Sequence, residues 1–432
     1  MIFRTDRQTT ADLAIIGSKR EDSVYGIFNR TVTAGGAGIL EEMFLSPFAD
    51  VESIAERSAA IAFFAEESID FPFDGVLMDT LEYYLSDCDS RSLLTPEGDN
   101  LERKFKSALG TNTQYDSIKK GVKSVFLLLH HVSEFVQELI SHDFKNRCGF
   151  FPDILKSVIV ENPSKLNYEN LSKLDREFRF SKREVFLKIM QEIYKFDVLI
   201  SVAKVSVLKG YTRALPVTEG DNLLNICDGF HPLLEKAVPN SLMIDKNSNM
   251  IFLTGANMAG KSTFMKMVGI SLYLAHMGFP VPAVKMEFRV LKGMFTTINL
   301  ADDINQGLSH FYAEVVRVKR VAESVGKEGN MMVIFDELFR GTNVKDAYDA
   351  TVAVADAFAG IKNSLFVISS HIIEAGKALK ERRRNIAFLN LPTIMDGNIP
   401  GYTYKVTEGI TNDRHGMLII KNEGIPEILE RE

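Results

Sequence analysis

The sequence predicts a multidomain chain: a mostly α-helical region over residues 1–215, then an α/β domain over 216–432 built around a phosphate-binding loop. Three observations carry this expectation. Residues 254–263 (TGANMAGKST) place Gly255, Gly260, Lys261 and Ser262 in the pattern G-x-x-x-x-G-K-S. Two later apolar runs, 331–335 and 364–369, end in Asp336-Glu337 and Ser370-His371. Upstream, Leu171–Gly210 runs without proline and repeats apolar residues at spacings of three and four.

In chain order, the helical region comes first. Ser124–Ile140 has Val125, Leu129, Val132, Val136 and Leu139 at helical spacing. Leu171–Gly210 adds Phe178, Phe186, Ile189, Met190, Ile193, Phe196, Leu199, Ile200, Ala203 and Val207. Read as one helix it would span about 60 Å at ~1.5 Å per residue, a lever; an ordinary helical pair with an unmarked turn remains open. Gly210–Pro216 ends the helical part, and Leu223–Ser241 leads into the α/β domain.

Asn249–Thr254 is an apolar strand entering the glycine loop, and Ser262–Met277 leaves it as a helix with Phe264, Met267, Val268, Ser271, Leu272 and Ala275 on one side. Strand, glycine turn and helix start direct backbone N–H groups and a positive helix end at one spot, which suits phosphate. This makes the second half a P-loop NTPase domain with ATP and Mg²⁺ as cofactors. The loop residues Gly255, Asn257, Met258, Ala259, Gly260, Lys261, Ser262 and Thr263 would surround the phosphates. Lys261 would reach the β- and γ-phosphates, and Ser262 would hold Mg²⁺.

The short apolar runs suit strands buried on both faces of a parallel sheet. Asp336, ending the first, would hold Mg²⁺ through water, and Glu337 would act as general base on the attacking water. His371 stands at the carboxyl edge of the other strand, where such sheets bind ligands, and would sense the γ-phosphate; a purely structural histidine is the plainer alternative. Between loop and acidic strand lie Gly307 and Ser309, before a helix to about Ser324. Ser309 is a reasonable helix N-cap. It also stands where ABC-type ATPases carry a serine that serves the partner subunit's nucleotide.

Together these residues resemble the MutS family of DNA mismatch-repair ATPases. Thr254–Thr263 is similar to that family's TGPNMGGKST, Ser309–Glu314 (SHFYAE) to its STFMxE, Asp336–Thr342 (DELFRGT) to its DEIGRGT, and Ser370-His371 to its TH. Phe230-His231-Pro232 falls where the family has RHP, and Gly409–Gly416 (GITNDRHG) resembles the segment ending in SYG. Arg30–Leu40 (RTVTAGGAGIL) is similar to the core-domain signature TVTPMG, Pro47–Phe63 follows its pattern, and Gln8–Leu13 resembles the segment that opens the core domain. The match is specific over 230–420, moderate over 1–110 and only architectural over 110–220.

The resemblance implies a dimer joined through ABC-type ATPase domains. Each nucleotide would lie between Lys261, Ser262, Asp336, Glu337 and His371 of one subunit and Ser309 of the other. Hydrolysis would close and open a clamp on DNA, in mismatch repair or recombination-related DNA metabolism. Departures are Ala256 for proline, Ala259 for the second glycine, His310 for threonine and Phe230 for arginine. Mismatch-finding relatives carry two more domains ahead of the core, one with a Phe-x-Glu wedge. Here the core resemblance starts almost at Met1, and Phe64-Ala65-Glu66 matches the wedge letters only inside a core-like helix. The expectation is therefore DNA binding without mismatch reading.

Composition narrows the partners. The chain is 46% apolar, so it can bury cores, and it has no apolar run of membrane-spanning length. Three widely spaced cysteines (Cys88, Cys148, Cys227) suit the cytoplasm rather than a disulfide framework. A net charge of −7 does not advertise nucleic-acid binding, which would need local patches. Lys119, Lys120 and Lys123 form one basic cluster and Lys377, Lys380, Arg382, Arg383 and Arg384 another, each more simply a solvated helix face. Two rivals stay open: a MutS-like ATPase that remodels or scaffolds proteins without DNA, and a nucleotide switch with negligible turnover.

Overall fold

The structure, a computed structural model, describes residues 2–17, 22–94, 113–156, 166–217, 223–298, 310–396, 399–411 and 428. The chain divides into two compact units. One comprises Phe28–Met43 and Ala59–Val207; the other comprises Met1–Ile27, Phe44–Ser58 and Leu208–Glu432.

The first unit is helical. Helix Gly75–Ser86 starts at Asp74, whose carboxylate accepts from the Val76 N–H, and buries Leu77, Met78, Leu81, Tyr84 and Leu85 at three- and four-residue spacing. Helix Thr113–Ser141 is longer than its periodic stretch suggests. Its Gly121 admits Tyr84: a Cβ there would lie 2.2 Å from that ring. Phe63, Phe64, Phe135, Phe144 and Phe196 meet mostly edge to face in the core, with centroids 4.9–5.9 Å apart.

The Thr31–Gly36 stretch has a physical reason to keep its residue types. Asp197 accepts from the N–H of Val32, the N–H of Thr33 and Thr33 Oγ1, the last two at 2.8 and 2.7 Å. Thr33 Oγ1 accepts in turn from the Gly36 N–H at the start of helix Ala34–Leu45. Cβ atoms on Gly35 and Gly36 would lie 2.3 Å from the Tyr194 ring and 2.5 Å from the Asp197 carboxylate.

Leu171–Gly210 is not one lever. The chain forms helix Tyr168–Arg176, widens into a π turn over Glu177–Ser181, breaks at Lys182, and resumes as a 27-residue helix, Arg183–Lys209. That helix spans about 40 Å at ~1.5 Å per residue. Arg179, 1% exposed, sits in the π turn and forks onto Asp175 through Nε and Nη2, both at 2.6 Å. Tyr84 Oη donates to the same carboxylate. A buried charge is tolerable only when paired in this way, so the ion pair fixes the irregular turn. Apolar periodicity carries no trace of it.

The strands β1 (Ala214–Val217), β2 (Leu224–Gly229), β3 (Asn240–Ile244), β4 (Met250–Gly255), β5 (Lys285–Arg289), β6 (Gly293–Thr297), β7 (Met331–Phe335), β8 (Leu365–Ser369), β9 (Ile386–Leu391), β10 (Thr393–Asp396), β11 (Ile399–Tyr402) and β12 (Thr407–Glu408) all lie in the second unit. The main sheet has the order β12-β9-β4-β8-β7-β6. It is parallel from β9 to β6, with β12 antiparallel at one edge. A smaller mixed sheet runs β1-β5-β2-β3, and β10 pairs with β11 as a hairpin. β4, β7 and β8 are buried at every position, as strands covered on both faces must be. On one face Phe252, Val333, Phe335, Phe366 and Ile368 pack with helices His310–Glu328, Val344–Ala359 and Ile373–Arg382. On the other, Ile334 approaches Gly269 of helix Lys261–His276. Among the described residues no helix is long and apolar enough to cross a membrane.

Candidate functional site

Because β4, β8 and β7 are parallel neighbours, their carboxyl ends share one edge of the sheet. That edge gathers three of the sequence features: the 255–262 loop after β4, Asp336-Glu337 after β7, and Ser370-His371 after β8. The arrangement is the usual ligand edge of an open parallel sheet.

The loop takes backbone geometry that glycine permits. Gly255 has φ +151 and Gly260, capping helix Lys261–His276, φ +99. Met258 has φ +70, strained for a side chain, and is 78% exposed. Ala256 and Ala259 are not among the positive-φ residues, so alanine for proline and alanine for glycine cost the loop no backbone strain.

Lys261 is nearly buried. Its Nζ donates to the carbonyls of Gly255 (2.9 Å) and Ala256 (3.1 Å) and pairs with Glu337 Oε1 at 3.0 Å. All three ammonium donors are thereby engaged. Ser262 Oγ donates to Asp336 Oδ2 and Ser369 Oγ to Asp336 Oδ1, each at 2.5 Å. Ser262 and Asp336 thus present adjacent hard oxygens, the donor type that Mg²⁺ prefers. No group of three or more His, Cys, Asp or Glu among the described residues forms a metal cluster. The pair therefore fits an ion that draws the rest of its shell from phosphate and water.

Glu337 sits at φ +49, its N–H bonded to the carbonyl and hydroxyl oxygens of Ser369. The carboxylate is flanked by Lys261, by Arg340 Nε at 2.9 Å and by His371 Nδ1 at 3.8 Å. His371 is half exposed. Gly307 and Ser309, and residues 412–416 of the late segment, lie outside the described residues. Asn257 is exposed on the loop and Thr263 in the first turn of the helix that follows it.

A pocket of about 570 Å³ opens on this edge. It is lined by the loop, Glu337 and Arg340, and by Phe230, His231, Leu234, Val238, Asn240 and Tyr404. Burial, reinforced by the nearby Lys266 charge, pushes the His231 imidazole down to about 4, so it is neutral at pH 7. Its Nδ1 accepts from the Leu233 N–H, leaving Nε2 to carry the proton. The Tyr404 ring lies over the loop, 3.1 Å from where a Cβ on Gly260 would stand. Of these residues the sequence marks Phe230 and His231, through the motif at 230–232, and leaves Asn240 and Tyr404 unmarked. Tyr404 falls between β11 and β12 with no motif around it, and Arg340 is visible only as a letter of DELFRGT.

In the basic clusters Lys120, Lys123, Lys377, Lys380, Arg382 and Arg384 are exposed. Arg383 is committed to Asp356, and Lys119 lies over the Tyr115 ring.

Comparison with known proteins gives two family matches: the model for MutS domain III over residues 7–315 and that for MutS domain V over residues 251–432. Similar relatives are each called DNA mismatch repair protein MutS. The chain is 26% identical to that of Persephonella marina over 357 residues, covering 79% of this chain and 40% of the relative. It is 26% identical to that of Methanosarcina acetivorans over 411 residues, covering 90% and 44%. With that of Thermotoga maritima the identity is 25% over 531 residues, covering 99% and 65%. The chain therefore spans less than half the length of the first two relatives and under two thirds of the third.

Proposed function

The chain belongs to the MutS family, and from that premise we propose that it is an ATPase whose nucleotide cycle drives a dimeric clamp on DNA. One observation carries the reading: Lys261, Ser262, Asp336 and Glu337 converge within hydrogen-bond or ion-pair distance at the carboxyl edge of the sheet, beside a pocket large enough for a nucleotide. The relatives' printed name supports DNA as the partner. As the functional division we propose a core and lever part, 1–215, and an ABC-type P-loop ATPase part, 216–432.

Residues 255–263 wrap the phosphates. Lys261, held in the structure by two loop carbonyls and Glu337, exchanges those partners for phosphate oxygens. Ser262 and Asp336 would hold Mg²⁺, and Ser369 orients the Asp336 carboxylate. When bound, that ion supplies positive charge beside the β- and γ-phosphates. Glu337 takes the proton from the attacking water, Arg340 sets its direction, and His371 senses the γ-phosphate. Phe230, Leu234, Val238 and Tyr404 give the nucleoside an apolar and aromatic wall. Ser309 completes the site from the partner subunit, with the ATPase parts forming the dimer interface.

ATP turnover measured with and without matched, mismatched and branched duplexes at one salt concentration tests this. Turnover that responds to DNA supports the clamp; turnover indifferent to every DNA favours the protein-remodelling alternative, to which the net charge of −7 gives some weight. ATP binding without turnover leaves the nucleotide switch.

A further inference from the structure

Asn240 opens β3, lines the pocket and is 8% exposed. Its amide is fully used. Nδ2 donates to the carbonyls of Tyr404 (2.9 Å) and Val238 (3.1 Å), and Oδ1 accepts from the Val406 N–H at 2.8 Å. Lys405 Nζ adds a bond to the Pro239 carbonyl. One side chain therefore brackets Tyr404, holding its own carbonyl and the N–H two residues on.

Tyr404 needs holding. Its φ is +55, in the left-handed region that a residue with a Cβ seldom adopts. Only external bonds keep such a residue there, and Asn240 supplies them. The conformation lays the ring against Gly260, where the triphosphate loop turns into its helix, with 46% of the residue exposed. A half-exposed aromatic ring that lines the pocket beside this loop can stack on a planar group attached to the bound phosphates.

We propose that Asn240 is a positioning residue for recognition of the nucleotide base: it fixes Tyr404 as a preformed stacking wall, so the preference for a nucleoside triphosphate over a bare triphosphate runs through this amide. The proposal rests on the nucleotide reading above. A wall already in place spares the ordering cost that a mobile side chain pays on binding. Asn240→Asp isolates the effect. The carboxylate is nearly isosteric and still accepts from Val406, but it sets an anionic oxygen against two carbonyl oxygens and drives the Tyr404 segment away.

The test measures affinity for Mg²⁺-ATP and for inorganic tripolyphosphate with Mg²⁺ on the parent, Asn240→Asp, Tyr404→Ala and the double variant. Expected is about a tenfold loss of ATP affinity in Asn240→Asp, as loss of one base–aromatic stack implies, with tripolyphosphate affinity changed less than about twofold. KM for ATP rises while kcat holds. The double variant matches Tyr404→Ala, because the two residues act as one unit. Tripolyphosphate binding also reports a folded phosphate loop. Parallel loss of both ligands, or additive losses in the double variant, overturns the proposal. Unchanged ATP affinity in Asn240→Asp overturns it alone. A parent that binds neither ligand overturns the nucleotide reading, and the proposal with it.

Discussion

Ser262 Oγ donates to Asp336 Oδ2 across 2.5 Å, joining the first turn of one helix to the end of a strand two places away in the sheet. The bond ties the two motifs together at the edge of the sheet, and Lys261–Glu337 ties them a second time at 3.0 Å. Lys261, the proposed phosphate ligand, and Glu337, the proposed general base, are therefore coupled through one ion pair, and their substitutions should separate by step.

Lys261→Ala should abolish nucleotide binding, because it removes the charge that phosphates recognise. Glu337→Gln should bind ATP at least as well as the parent while turnover falls by ~10²–10⁴-fold, the usual cost of losing a general base. Equilibrium binding and single-turnover hydrolysis distinguish the two variants. Hydrolysis at the parental rate in Glu337→Gln would remove Glu337 from its role.

Ser309 is assigned to the partner's nucleotide on its position 27 residues before Asp336 and on the family resemblance. Mixing Ser309→Ala with Lys261→Ala protein should restore part of the lost ATPase activity. The mixed dimer holds one site with both defects and one with neither. Subunit exchange is checked first by labelled pull-down. Verified exchange with no recovery would place Ser309 in its own subunit's site or outside the chemistry.

Much of this site was legible because its chemistry is local in sequence. The loop TGANMAGKST and the run MMVIFDE each announce a strand end and its functional residues together. The proposed nucleoside wall is a different case. Phe230, Asn240 and Tyr404 come from separated segments that only the fold brings together, and an asparagine clamping a left-handed tyrosine leaves no periodic mark. The helical unit shows the same limit. The apolar spacing of 171–210 is real and leaves open both one lever and a helical pair with an unmarked turn; the chain forms the pair, with Arg179–Asp175 inside the turn.

Acid should destabilise the chain through His276. This residue is fully buried, stacks on Phe3 at 4.0 Å, donates from Nδ1 to the Phe48 carbonyl and accepts at Nε2 from the Leu291 N–H. Burial pushes its pKa down to about 4, below the value of the unfolded chain, so unfolding takes up a proton. The stabilisation is complete above the unfolded pKa and is lost as pH falls toward 4. Between pH 7 and pH 5 it amounts to about 2 kcal/mol from this residue. Urea unfolding should show the parent weakening over that interval. His276→Gln should be less stable at pH 7 but lose less on acidification. An unchanged pH slope in the variant would remove His276 as the cause.

The wedge letters Phe64-Ala65-Glu66, read from the sequence as part of a core-like helix, lie in helix Val51–Glu67. Unstacking a duplex costs a few kcal/mol per step, and a wedge must be exposed to spend contacts on that cost. Phe64 is 3% exposed, 5.6 Å from the Phe144 ring and 5.9 Å from that of Phe196, and Glu66 pairs with Arg147. These residues hold the helical core and do not offer a wedge. We expect the 432-residue chain to bind duplex with affinity that falls steeply with salt and with less than tenfold preference, about 1.4 kcal/mol, for a mismatch. Branched duplexes, bound through shape, should compete at least as well as mismatched ones. Phe64→Ala should cost about 3–5 kcal/mol of stability and leave the mismatch-to-match ratio where it was. Competition among matched, mismatched and branched duplexes of equal length, at one salt concentration and a temperature where both proteins are folded, decides it. A preference above tenfold that disappears in Phe64→Ala would make Phe64 the wedge after all, and would require the core around Phe144 and Phe196 to open on DNA.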